Sequence, residues 1–246
     1  MYRTKIKDIV TEFAVPKNIK SSKVLIICSG MPGYPHKAKY EKIIKNFTSR
    51  GYYVFIPRYR GTWESEGVLF EKCPCFDVAD VIEGIQSEFK ELWSGEKFIV
   101  QNPKVFLYGT SFGSPAVLLN SKKKEVKKVL AVSPVLDWRT MSETVEPIPK
   151  LAKFLPEAFG FGYRIAKDGW KKIEEGRFYN PSFDLSKIDS KKVLLIHAKD
   201  DEVISFSSVL EFIKNTKVKN IIAKTGGHGL NIFSVSFKRA VLKFLS

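Results

Sequence analysis

The run Val105-Phe106-Leu107-Tyr108-Gly109-Thr110-Ser111-Phe112-Gly113 joins an apolar, strand-type stretch to Gly-x-Ser-x-Gly, and an apolar segment of helical type follows from Ser114. A serine at a sharp strand-to-helix turn stands exposed above a sheet, where it can attack a carbonyl. Small residues on either side suit a turn too tight for large side chains. A serine hydroxyl is a weak nucleophile and needs a base to take its proton and a third group to orient that base. Histidine is the natural base because it titrates near neutral pH. The chain has three: His36, His197 and His228. His228 lies in Thr225-Gly226-Gly227-His228-Gly229-Leu230, a flexible loop after the last expected strand. His197 ends the preceding strand and is expected to pack or hydrogen-bond beneath the loop. His36 opens a helix beside the loop Ser29–Gly33 and is a candidate for the pocket entrance, as is Tyr34.

Three acidic residues, Asp200, Asp201 and Glu202, follow the strand that ends at His197. The order Ser111, Asp201, His228 matches the serine, acid, histidine order of a nucleophile elbow. An oxyanion needs backbone N–H donors. Phe112, directly after the serine, supplies one. The loop Ser29-Gly30-Met31-Pro32-Gly33 supplies the other, and its Met31 N–H is the candidate.

These positions require a parallel sheet with its loops gathered along one edge. From residue 23 the pattern alternates. Short continuous apolar runs at 23–28, 52–56, 104–109, 126–133, 192–198 and 219–223 read as strands buried on both faces. Helical spacing fills 37–50, 76–92, 112–121, 206–216 and 230–245. Such alternation predicts an α/β fold, a mostly parallel central sheet flanked by helices on both faces. Residues 2–15 alternate polar and apolar and predict one or two edge strands.

Between Asp137 and Asp184 the alternation stops in favour of prolines and aromatics, including Trp138, Phe159, Phe161 and Trp170. This is too long for an ordinary loop. It predicts a small helical cap, 137–184, inserted into a single domain of 1–246, with Trp63, Trp138 and Phe159 as pocket candidates.

The 246 residues carry 41 Lys and Arg against 26 Asp and Glu, a formal charge of +15. Most of the excess is lysine spread through every segment, which reads as a solvated surface rather than a nucleic-acid site. No zinc finger, aromatic–basic RNA signature or recognition helix accompanies it. Contact with an anionic membrane surface is a secondary option. The longest apolar runs are too short to span a bilayer, and the N-terminus has no apolar signal core. The three cysteines, Cys28, Cys73 and Cys75, suit a reducing cytoplasmic compartment better than a disulfide framework, and neither a metal nor a cofactor is expected.

Four segments together resemble the α/β-hydrolase superfamily over residues 23–246. Ser29-Gly30-Met31-Pro32-Gly33 resembles its His-Gly-x-Pro-Gly oxyanion loop, with Ser29 in place of the histidine. Tyr59-Arg60-Gly61-Thr62-Trp63-Glu64-Ser65-Glu66-Gly67 resembles the Tyr-Arg-Gly-x-x-x-Ser-x-Gly segment of esterase-like and prolyl-oligopeptidase-like branches. His197 to Ile204 resembles His-Gly-x-x-Asp-x-x-Val, with Ala198 for the glycine, which puts the acid on Asp201. Gly227-His228-Gly229 resembles the histidine loop. The resemblance implies a serine hydrolase with a Ser111–Asp201–His228 triad, first a carboxylesterase on small to medium acyl esters. It also admits a small peptidase or acyl-aminoacyl hydrolase, a lysophospholipase or lipase, and a silent binding protein on the same fold. The expected partner is a small acyl ester or amide.

Overall fold

The computed structural model describes residues 1–33 and 37–246. Its frame is an eight-stranded sheet. An antiparallel pair, β1 (Tyr2–Ile6) and β2 (Ile9–Ala14), opens it. β2 runs antiparallel to β4 (Tyr52–Pro57), and from there every pairing is parallel. The parallel part contains β4, β3 (Lys23–Cys28), β7 (Lys104–Thr110), β8 (Val126–Val132), β9 (Val193–Ala198) and β10 (Lys219–Ala223), side by side in that order. A separate two-stranded ribbon joins β5 (Phe89–Lys90) to β6 (Lys97–Phe98).

The continuous apolar runs make these strands two-faced. In β3, Val24, Ile26 and Cys28 enter one core and Leu25 and Ile27 the other. The first core is closed by α2 (Cys75–Gly84), α3 (Gly113–Leu119) and α6 (Phe206–Thr216) through Val78, Val81, Ala116, Val117, Val209 and Phe212. The second is closed by α1 (Lys37–Thr48) and α7 (Val235–Phe244) through Tyr40, Phe47, Phe237 and Val241. Burial of this alternating apolar surface is the main term holding the layers together.

Two helices lose a whole turn or more against what their apolar spacing predicts. The segment expected as a helix over 76–92 ends at Gly84, and Phe89 stands in β5 instead. There its ring meets Phe13, Phe55 and Phe98 at centroid distances of 5.3, 5.5 and 6.0 Å. Phe89 lies four residues after Ile85, so an aromatic needed by the ribbon mimics one more helical turn. The closing helix, expected from 230, starts at Val235. The Asn231 side chain accepts from the Phe233 N–H at 3.0 Å, and the Asn231 carbonyl from the Ser234 N–H at 3.0 Å. This local turn competes with the helix, while Ile232 is already buried in the second core.

Residues 137–184 hold 3₁₀ turns at Trp138–Glu143 and Gly160–Gly162, and the helices α4 (Ile148–Phe159) and α5 (Gly169–Glu174). This stretch is stitched to the segment 61–69 by backbone bonds: Trp63 N–H to Gly162 O, Arg164 N–H to Gly61 O, Leu69 N–H to Arg164 O and Ala166 N–H to Leu69 O, at 2.7 to 2.9 Å. At Gly61, with φ +74°, a β-carbon would lie 2.0 Å from Leu69 N, so only glycine lets the two chains approach.

Candidate active site

Ser111 sits between β7 and α3 with φ +48°, a left-handed conformation that non-glycine residues rarely adopt. The strain is held from several sides. The Ser111 N–H donates to Val132 O at 3.1 Å, and the Ser111 carbonyl accepts from Ser114 N at 3.0 Å. The flanking glycines are sterically obligatory: a β-carbon on Gly113 would lie 2.1 Å from Cys28 O, and one on Gly109 would lie 2.6 Å from Gly113 O. Among the described residues the Ser111 hydroxyl is engaged in no hydrogen bond.

The strand ends carry the other groups to the same edge. Ser111 N is tied to Val132 O at the end of β8, Ser133 N to Ile196 O near the end of β9, and Lys199 N to Ala223 O at the end of β10. Asp201 follows β9 and His228 follows β10. The Asp201 Oδ2 and His228 Nδ1 atoms are 3.0 Å apart. Asp201 Oδ1 accepts the Val203 and Ile204 N–H groups, both at 2.9 Å. Burial pushes the Asp201 carboxyl up, but the bonds from His228 and the Ile204 N–H outweigh it and hold the group below its ordinary value. The Asp201 side chain is fully covered, whereas that of His228 is 27% exposed. With Nδ1 turned to the carboxylate, Nε2 is the ring's outward nitrogen.

Two N–H groups beside Ser111 have no acceptor among the described residues: those of Met31 and Phe112. Gly30 brings the first of them close, since a β-carbon there would sit 3.0 Å from Ser111 Cβ and 3.6 Å from its Oγ. The loop is pinned by side chains. Thr110 Oγ1 accepts from Gly30 N at 3.1 Å. Tyr59 donates to Ser29 O at 3.3 Å, Trp63 Nε1 to Gly33 O at 3.1 Å, and Tyr163 to Pro32 O. Such pinning is what preorganised donors require.

Two cavities flank Met31. One is narrow, about 20 Å³, and is lined by Met31, Gly33, Tyr59, Trp63, Phe112 and Tyr163, with the Arg58–Glu12 ion pair in its wall. The other, about 200 Å³, lies between Met31, Pro32 and α4, against Leu151, Phe154 and Leu155, with Glu146 and Lys150 at its edge.

Of the expected pocket residues, Trp63 lines the narrow cavity and also clamps the loop. Trp138 lines neither of these cavities: it is 2% exposed, its indole donates to Tyr179 O at 2.8 Å, and it packs on Phe112 as support beneath the turn. Phe159 lines neither of these cavities and backs Trp63 and Tyr163, with ring centroids 5.4 and 5.9 Å away. Tyr34 and His36 lie outside the described residues. His197 is buried and packs, as expected, stacked on Phe206; among the described residues its ring makes no hydrogen bond.

Sequence reasoning missed Asp200, whose carboxylate accepts the Gly226 and Gly227 N–H groups at 3.1 and 2.9 Å and so shapes the turn that carries His228. It also missed the clamp made by Thr110, Tyr59 and Tyr163. Tyr59 opens the Tyr-Arg-Gly segment, whereas nothing in the sequence brings Tyr163, more than 130 residues away, onto Pro32.

A sequence profile of the prolyl oligopeptidase family matches residues 38–233. The chain belongs to this family. Comparison with curated protein sequences finds no match. Solved structures share its α/β-hydrolase fold at low identity. An acylaminoacyl peptidase from Pyrococcus horikoshii superposes with a TM-score of 0.67 at 19% identity, covering 99% of this chain and 40% of its own. An esterase from Pyrococcus furiosus gives 0.66 at 17%, covering 100% and 89%. DcsB, solved with a substrate analogue, gives 0.72 at 18%, covering 99% and 96%. The chain thus spans about two fifths of the length of the peptidase it resembles. Among the described residues, no helix is long and apolar enough to cross a membrane.

Proposed function

We propose that this member of the family is a serine hydrolase of carboxylic esters, with Ser111 as nucleophile, His228 as base and Asp201 as the orienting acid. The observation that carries the reading is the buried Asp201 carboxylate 3.0 Å from His228 Nδ1, on the sheet edge that also presents the strained Ser111. In this reading Ser111 Oγ attacks the acyl carbonyl and its proton passes to His228 Nε2. Asp201 keeps the ring in the Nδ1–H tautomer and stabilises the imidazolium. The oxyanion forms against the Met31 and Phe112 N–H groups. The leaving group takes the proton from His228, and water then releases the acyl group by the same steps.

The apolar cavity formed by Leu151, Phe154 and Leu155 favours esters with small to medium apolar groups. The family match favours a second reading, hydrolysis of acyl-aminoacyl or other amide bonds. A chain-length series of p-nitrophenyl esters beside aminoacyl anilides separates the two. Ester turnover should exceed anilide turnover, and Ser111→Ala should lower kcat by roughly 10⁶-fold, the scale seen when a triad serine is removed. Anilide turnover without ester turnover would favour the second reading. Fluorophosphonate labelling at a residue other than Ser111 would refute the site.

A further inference from the structure

Asp201 faces two imidazoles. Its Oδ2 lies 3.0 Å from His228 Nδ1 and 3.7 Å from Nδ1 of His197. His197, the penultimate residue of β9, is 0% exposed, and among the described residues neither of its ring nitrogens has a hydrogen-bond partner. Buried polar groups in folded proteins are nearly always satisfied, so an orphaned imidazole beside a working carboxylate calls for a role.

We propose that His197 is a positioning residue: its neutral ring presents an Nδ1–H to Asp201 Oδ2 and keeps the carboxylate turned toward His228. The inference rests on the assignment of Asp201 and His228 as acid and base. The tautomer follows from the surroundings. A proton on Nε2 would leave the Nδ1 lone pair aimed at a carboxylate. A proton on Nδ1 instead points at the Asp201 carboxylate. The ring is fixed by stacking on Phe206 of α6, with an interplanar angle of 8° and centroids 6.2 Å apart.

The charged groups around this ring come from the loops after β9 and β10. Asp201 lies in the loop after β9 and His228 in the loop after β10, while Lys199 reaches the Phe206 ring at 5.7 Å from its centroid. Burial holds the His197 pKa down. Asp201 and the nearby Ile204 backbone oppose this in part, and a charged His228 adds to it, so His197 stays neutral when its neighbour ionises. At 3.7 Å the N–H contact is too long to count as a made hydrogen bond. It limits how far Oδ2 can swing when His228 takes the serine proton, and the two backbone bonds to Oδ1 fix the other end of the carboxylate.

Replacing the ring by a group without a donor leaves Oδ2 freer to rotate and its charge directed wholly at His228. In His197→Leu, kcat should fall about tenfold with KM unchanged, because a small displacement of a reacting group is costly in rate. The acid limb of kcat/KM should move up by on the order of half a pH unit. His197→Asn can place its amide nitrogen near the Nδ1 position and should restore both quantities toward wild type. His197→Gln places its amide nitrogen nearer Nε2 and should behave like leucine. Circular dichroism and fluorophosphonate labelling of Ser111 check that each variant is folded. A folded leucine variant with wild-type kcat and acid limb would overturn the proposal. If leucine does not fold, the asparagine and glutamine pair decides, and equal profiles for the two would overturn it. Turnover that survives Ser111→Ala would instead refute the underlying site assignment, so the two failures are distinguishable.

Discussion

Asp200 and Asp201 are adjacent carboxylates with separate tasks. Asp201 points inward to His228 and two backbone N–H groups, and Asp200 points outward to the Gly226–Gly227 turn. Gly226 has φ +146° and Gly227 φ +58°, so the turn uses conformations that glycine alone adopts readily and depends on an anchor to select one of them. Asp200→Ala should raise amide exchange at Gly226 and Gly227 and lower kcat by roughly tenfold, because a small displacement of a catalytic group is costly in rate. Unchanged kcat in that variant would show that the turn holds its shape unaided. Asp201 carries a pH dependence of defined sign. Its folded-state pKa is below the ordinary value of about 3.9. Its contribution to stability is therefore fully present above about pH 4 and is lost as pH falls through the folded value. The gap in Tm between wild type and Asp201→Asn should be wide at pH 7 and narrow below about pH 4. A gap that stays constant down to pH 3 would contradict the coupling.

At the level of elements, close approach competes with intrinsic propensity, and α2 offers a direct test. Gly84 is its last residue, and a β-carbon there would lie 2.3 Å from Ile6 Cγ2 in β1. Alanine gains up to about 1 kcal/mol in a helix interior, whereas overpacking a buried contact costs about 1–3 kcal/mol. The clash should win, because the Ile6 methyl is on a branched side chain that is itself buried, so Gly84→Ala should lower Tm by several degrees; a rise in Tm would mean that β1 yields. The same contact marks where sequence reading stopped working. The strand runs at 23–28, 206–216 as a helix and 219–223 as a strand coincide with the structure because one local pattern decides each of them. The helix expected to reach residue 92 stops at 84 because Phe89 is claimed by rings from β2, β4 and β6. The placement of the candidate site residues was legible to the same degree. Ser111, Asp201 and His228 follow strand ends that the apolar runs locate. The burial of Trp138 and the reach of Tyr163 to Pro32 depend on how residues 137–184 fold over the sheet, and no local pattern carries that.

Across the whole molecule, the net charge of +15 is the least balanced property. Ion pairs oppose it in places. Arg60 binds Asp77, Asp80 and Asp8, and Arg58 binds Glu12 and Glu64, which together fasten the segment after β4 to β2, α2 and the turn between β1 and β2. The Arg58 side chain is only 6% exposed and that of Asp77 only 5%, so salt screens these contacts weakly. Pairs such as Lys97–Glu88 and Lys187–Asp184 are exposed, and such pairs contribute between zero and about 1 kcal/mol. Against them stands repulsion among lysines with no acidic neighbour, above all the stretch after Glu211, where Lys214, Lys217, Lys219, Lys224, Lys238, Arg239 and Lys243 occur without one acidic residue. Repulsion of this kind acts over distances that salt screens effectively, since the Debye length shrinks from about 30 Å at 0.01 M to about 3 Å at 1 M. Screening should therefore relieve more repulsion than it removes attraction. Raising NaCl from about 0.01 M to about 0.5 M should raise Tm by a few degrees, and the gain should level off once the Debye length is shorter than the lysine spacing. A fall in Tm over that range would mean that the ion-pair networks, rather than the surplus charge, dominate the electrostatics of the fold.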